Sequence, residues 1–135
     1  MSKKKIQSHF ESGALRNESE VTMDGIPDGY SRSYFESGQL ERERFTLMGT
    51  FHGTWKQWNE QGLLLGEFKF VHGTGVLTEW YENGVKKYEL ELLKGAQHGA
   101  ERLYDSDGRL CMTRYYFKNK RVSKKAYDIE KSGNQ

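Results

Sequence analysis

The chain has one cysteine and one proline in 135 residues, and no long apolar run. Each scarcity excludes something. Cys111 cannot close an internal disulfide, which points to a reducing, cytoplasmic setting. Without an apolar run of about 18 residues there is no candidate membrane span, and no signal-peptide core is visible. Charge of one sign is also missing: 21 basic residues stand against 19 acidic ones, a net of +2. A nucleic-acid binder usually carries a large basic excess, so nucleic acid is an unfavoured partner. Catalytic motifs fail in turn, with no P-loop, HExxH, CxxC or GxSxG. The stretch "GTGVLT" lacks the third glycine of a dinucleotide fingerprint and opens a strand where a helix start is needed.

Aromatics and glycine are plentiful: 13% aromatic residues and fifteen glycines. The aromatics rule out a disordered chain despite a mean hydropathy of −0.90. The glycines are in register, Gly29, Gly53, Gly75 and Gly99, followed by Gly38, Gly62, Gly84 and Gly108. Between each pair stands an aromatic: Tyr34, Trp58, Trp80 and Tyr104. A decayed copy, "HFESGALRNE", precedes them, and the unit from Gly53 runs about two residues short. Five units spaced by 22 to 25 residues signal a repeat architecture.

The loops Glu36-Ser37-Gly38, Glu60-Gln61-Gly62, Glu82-Asn83-Gly84 and Ser106-Asp107-Gly108 predict three-residue hairpin turns, each ending in a residue with positive φ. Such turns set Tyr34 opposite Leu40, Trp58 opposite Leu64, Trp80 opposite Lys86 and Tyr104 opposite Leu110. A two-residue loop would shift that pairing by one residue. Alternation in Phe68 and Phe70, and in Tyr88, Leu90 and Leu92, marks the return strands. No helix-period segment separates them. The expected fold is all-β, an elongated antiparallel hairpin meander of about ten strands. A basic tail (residues 1–6) would precede one repeat domain (7–122), with units near 7–28, 29–52, 53–74, 75–98 and 99–122. A polar tail (123–135) would follow.

The stretches "GVLTEWYENGVKKYELELLKGAQHG" and "GYSRSYFESGQLERERFTLMGTFHG" resemble the MORN family, and more closely its bacterial variant repeat. The resemblance covers roughly residues 7–122. His9 stands where the first repeat should have its aromatic, and Asn119 where the fifth should have its link glycine. Both are at ends, where capping repeats depart from the pattern. Variant-repeat chains of this size resemble antitoxins or immunity proteins, which bind and block a toxin. Other MORN arrays are scaffolds, some contacting phospholipid head groups. The resemblance therefore implies a non-catalytic protein-binding role, without cofactor. The alternative is a scaffold at an anionic membrane surface.

Candidate chemistry is thin. His52 and His98 directly precede repeat glycines, where Asp28 stands in another unit, so they read as turn residues. Repeat-equivalent positions are two strands apart, about 10 Å, too far to share a zinc ion with bonds of about 2.0–2.1 Å. Glu43, Glu67 and Glu89 read as a solvated ladder interleaved with Arg32, Lys56 and Arg102, not as a glycosidase pair. Cys111 reads as a half-buried structural thiol. Lys118, Lys120, Arg121, Lys124 and Lys125 are either a solubilising end or a contact for an anionic partner, as is Lys3-Lys4-Lys5.

Tyr30, Phe35, Phe51, Trp55 and Tyr81 lie out of register with the repeat aromatics. A thin sheet cannot cover both faces. These five are candidates for a partner-binding surface, unless curvature or pairing into a homodimer buries them. On this reading Trp58 and Trp80 are buried and structural, and Trp55 is exposed.

Overall fold

A computed structural model describes residues 2–133. The chain is a succession of antiparallel hairpins: β1 (Lys3–His9), β2 (Leu15–Thr22), β3 (Pro27–Tyr34), β4 (Leu40–Leu47), β5 (Thr50–Phe51), β6 (Gly53–Trp58), β7 (Leu64–Phe70), β8 (Gly75–Trp80), β9 (Lys86–Leu93), β10 (Ala96–Tyr104), β11 (Leu110–Phe117) and β12 (Lys120–Val122). A helix, α1 (Lys124–Gly133), closes it. The ribbon is not one sheet. Strands β1 to β7 form a seven-stranded sheet and β8 to β12 a five-stranded one. The basic residues expected as an N-terminal tail are part of the edge strand β1, and most of the expected C-terminal tail is α1. Ser123 caps that helix by accepting from the Ala126 amide at 3.0 Å. The Tyr127 ring packs on Tyr115 with centroids 5.4 Å apart.

The hairpin tips follow one rule. Phe35 N–H donates to Gln39 C=O and Gly38 N–H to Phe35 C=O, both within 2.9 Å, and the same pair of bonds recurs at the other tips. The turn glycines have φ from +84° to +95°. The pairings Tyr34–Leu40, Trp58–Leu64, Trp80–Lys86 and Tyr104–Leu110 all form, each beside a bulge.

The opposite ends of the hairpins are held differently. Met48-Gly49, His72-Gly73, Lys94-Gly95 and Lys118-Asn119 each have two successive positive φ values, the signature of a type I′ turn. The residue before each repeat glycine accepts the first amide of the next such turn. Asp28 accepts from Met48, His52 from His72 and Thr74 from Lys94 at 3.0 Å, and His98 from Lys118 at 3.3 Å. A second row joins the turns through the backbone: Gly49 to Pro27, Gly73 to Phe51, Gly95 to Gly73 and Asn119 to Gln97. Asn119 tolerates the left-handed conformation and its own Oδ1 accepts the Gln97 amide at 2.8 Å. This row of turns runs unbroken through the place where the sheet divides.

The division falls at the short unit. Val71 and Thr74 close a tight turn, and β8 then leaves the plane of β7 instead of extending the sheet. The Trp80 ring lies on Gly66, where a Cβ would collide with it. The Gln57 side chain clamps the Trp80 backbone, donating to its carbonyl at 3.0 Å and accepting from its amide at 3.1 Å. The inner faces of the two sheets meet in a small core of Trp55, Phe70, Leu90 and Leu92. Only Phe70 is a fully enclosed large side chain among the described residues. Phe51, Phe68, Leu77, Tyr88 and Tyr116 pack around this core.

Trp55 therefore corrects the expectation of exposure: it is 5% exposed and stands at the centre of the core. Trp58 and Trp80 are only half-buried. The cause is the bulge before each repeat aromatic. It opposes two residues to one and reverses the face reached by counting across it. Cys111 is exposed, not half-buried.

Three outcomes follow from this packing. Trp55→Ala should cost about 3–5 kcal/mol, the range for a buried aromatic, and Trp58→Ala clearly less, in parallel denaturant melts. Gly66→Ala should cost about 1–3 kcal/mol by overpacking against Trp80 and should shift the Trp emission. Asp28 is held below its ordinary value by the Met48 amide and then by Lys3. A depressed carboxyl contributes stability that is fully present above its ordinary value and lost as pH falls through the lower folded value. Asp28→Asn should therefore flatten the acid limb of a stability–pH curve while lowering stability at neutral pH.

Candidate binding face

The outer face of the first sheet is a charge ladder. Gln7, Glu18, Arg32, Glu43, Lys56 and Glu67 are successive cross-strand partners from β1 to β7. Arg32 donates to Glu43 at 2.7 Å, and the Arg32 guanidinium stacks 3.9 Å from the Tyr30 ring centroid. The Tyr30 hydroxyl donates to Glu18 at 2.6 Å. That bond and one from Gln7 hold the Glu18 carboxyl low. In the second sheet Glu89 is met by the Tyr104 hydroxyl at 2.7 Å, by Lys86 at 3.3 Å and by Arg102 at 4.0 Å. Burial pushes Glu89 up, but these donors more than offset it. Of the three glutamates that invite a glycosidase reading, Glu43 and Glu67 thus stand in the ladder and Glu89 in the second sheet, with Glu43 and Glu89 in ion pairs. Partly exposed ion pairs of this kind contribute about 0–1 kcal/mol each.

The inner face differs. Near the division it is apolar and covered. Farther out it continues across β2, β3 and β4, where β8 stands over it with a cavity between. The floor there is polar: the hydroxyls of Ser19 and Ser31 bond each other at 2.8 Å, and the Ser33 hydroxyl donates to Glu41 at 3.3 Å. Two arginines rise from β4. Arg42 reaches Glu79 of β8 at 3.4 Å, bridging the sheets, while its Nε is buried without an acceptor. The Arg44 guanidinium lies 5.4 Å from the Trp55 ring centroid. Burial, and then the charge of Arg42, lower its affinity for its proton. Among the described residues no carboxylate lies within ion-pair distance of Arg44.

A cavity of about 270 Å³ opens between this floor and β8, walled by Phe51, Trp55, Phe68, Leu77 and Trp80. A second recess continues along the floor between Phe10, Arg16, Tyr34 and Phe35, and shares Arg42 and Arg44 with the first. The two concave recesses thus adjoin at these arginines along β2–β4.

The five candidate aromatics do not gather into one patch. Phe51 and Trp55 wall the cavity from the core side, and Phe35 lines the second recess. Tyr30 also lines the cavity, while its hydroxyl is bound to Glu18 of the ladder. Tyr81 is spent on a structural bond, donating to the Tyr104 carbonyl at 2.6 Å. The arginines are what sequence reasoning passed over. Their signal was the alternation Glu41-Arg42-Glu43-Arg44, in which Glu43 takes the ladder face and the arginines the other.

The basic end is brought together around the β11–β12 turn and the first turn of α1. Lys118, Lys120, Arg121, Lys124 and Lys125 are all exposed there. Lys124 pairs with Asp128 at 2.9 Å, which raises its pKa. Among the described residues no three histidine, cysteine, aspartate or glutamate side chains gather to hold a metal ion. His52 and His72 stack with centroids 4.6 Å apart, but His52 Nδ1 is engaged by the His72 amide. No helix among the described residues is long and apolar enough to cross a membrane.

A prediction separates the two faces. Arg32→Ala, on the ladder, should cost no more than about 1 kcal/mol in a denaturant melt. Gln57→Ala should cost more, about 1–3 kcal/mol, because it strands the Trp80 amide and carbonyl.

Residues 27–46 and 73–93 match the MORN repeat variant family. The two segments fall on equivalent strands of different sheets, β3–β4 and the link into β8–β9. These two segments are MORN-variant repeats. No curated protein and no solved structure matches it.

Proposed function

We propose that this MORN-variant array is a non-catalytic protein-binding module, and that it acts in the cytoplasm as an antitoxin or immunity protein that caps a partner toxin. MORN repeats are associated with binding to proteins and membranes. The observation that carries the proposal is the pair of adjoining concave recesses along β2–β4. A chain of this size, with so small a core, leaves there two arginines and a row of aromatic edges. Interface centres favour arginine and aromatics in this way. Shape and charge there suit a protein segment laid along the strands.

The test is co-expression with the product of the neighbouring gene. The proposal expects that product to arrest growth alone and growth to recover when this chain is present. It also expects the double variant Arg42→Glu/Arg44→Glu to fold and to lose protection. A neighbouring product that is harmless, or one that this chain fails to suppress, removes the antitoxin reading.

A second reading rests on the exposed basic end. Five basic residues around β12 and α1 favour an anionic phospholipid surface. Flotation with phosphatidylserine vesicles decides this. Retention at low salt that falls steeply by physiological ionic strength supports a membrane scaffold, and no retention at low salt excludes it.

A further inference from the structure

The cavity beside β8 has an electrostatic feature that the fold itself does not use. Its charged lining is Arg42, Arg44 and Lys56 against Glu20 and Glu79, three cations to two anions. The anions are both engaged. Glu20 accepts from the Tyr30 amide at 3.3 Å, and Glu79 holds Arg42 at 3.4 Å. Lys56 belongs to the ladder, between Glu43 and Glu67. The surplus is therefore Arg44, together with the part of Arg42 that Glu79 does not satisfy. A guanidinium stays charged in this setting, and a desolvated charge without a counter-ion is costly. Nothing in the packing requires it there. Ser19 and Ser31 bond each other, and Trp55 already has Phe51, Phe68 and Phe70 around it.

Resting on the protein-binding reading above, we propose that this cavity is a carboxylate-recognition site, which takes an aspartate or glutamate side chain from an extended segment of the partner, with an apolar neighbour beside it. Arg44, and Arg42 beside it, bind the carboxylate. A planar guanidinium meets a planar carboxylate through two parallel hydrogen bonds, a geometry a lysine does not offer. The charge offsets the two influences that lower the proton affinity of Arg44, its burial and the repulsion from Arg42, which the more distant Glu79 and Glu41 oppose without reversing. The apolar walls, Phe68, Leu77 and Trp80, take the neighbouring side chain. The volume fits, since 270 Å³ is the liquid volume of about nine waters at roughly 30 Å³ each, enough for one acidic side chain and part of the next.

The experiment is an NMR titration of the full chain, read on the arginine Nε–H and tryptophan Nε1–H resonances. The probes are a capped peptide Ser-Leu-Glu-Leu-Ser, its Gln counterpart, the Gln peptide with a free C-terminal carboxylate, and inorganic phosphate. The Glu peptide should move Arg42, Arg44 and Trp55 saturably, about tenfold more tightly than the Gln peptide, while Arg16 and Arg109 stay still. Arg44→Gln, with an unchanged Trp80 signal and an unchanged denaturant midpoint in the free state, should abolish the response. Equal response to Glu and Gln peptides, or none, overturns the proposal. So does a response only to the free C-terminus or only to phosphate, since either assigns the site to another anion. A silent titration beside intact toxin suppression rejects the carboxylate site alone. Loss of suppression with a positive titration rejects the antitoxin reading and leaves the site.

Discussion

The structure depends on one contact, the seat of Trp80 on Gly66 with the Gln57 clamp across it. Hairpin arrays extend by adding strands to one plane, and every unit here has the turn chemistry to continue. At β7 the plane is left. The missing side chain at Gly66 makes room for an indole, and the Gln57 amide satisfies the Trp80 backbone groups that a neighbouring strand would otherwise pair. Those bonds offset the lost ladder, and the two apolar inner faces meet as a result. Without the clamp each sheet would present Trp55, Phe70, Leu90 and Leu92 to water.

That departure also sets where function can reside. Folding the ribbon over packs the inner faces together at the corner and leaves a cavity between β8 and the floor of β2–β4. Arg42 connects the two sheets, because it rises from that floor and reaches Glu79 on the folded-over strand. The cavity is thus a consequence of the corner. The row of link turns does not break there, as Gly95 donates to Gly73 at 2.9 Å. The two sheets share this seam, while their hairpin tips belong to separate layers.

Much of this was legible in the sequence. The three-residue tips, their cross-strand partners, the ladder and the equivalence of His52 and His98 to Asp28 all follow from local chemistry and period, although the two histidines brace the next turn and do not form one. The shortfall of the unit from Gly53 was visible as well, but its consequence was not. Whether a short link tightens a turn or ends a sheet is decided by contacts between Trp80, Gly66 and Gln57, which no period reports. The faces were misread for a related reason. Trp58 defines the repeat, so it drew the expectation of burial, yet the bulge reverses the count across it. The alternation of Phe68 and Phe70 pointed to the correct face, since Trp55 pairs with Phe68 in register. The arginines were hidden because a charged alternation in a strand reads as solvated on both sides until the topology shows which side is concave.

The measurement closest to the central claim is the set of nuclear Overhauser effects around the Trp80 ring. The folded-over arrangement predicts strong effects from its ring protons to the Gly66 α-protons, and from the Trp80 amide to the Gln57 side-chain amide. A continuous ribbon would instead give a ladder of cross-strand α-proton contacts between β7 and β8. Finding that ladder, with no Trp80–Gly66 effect, would contradict the corner and with it the cavity and the binding face.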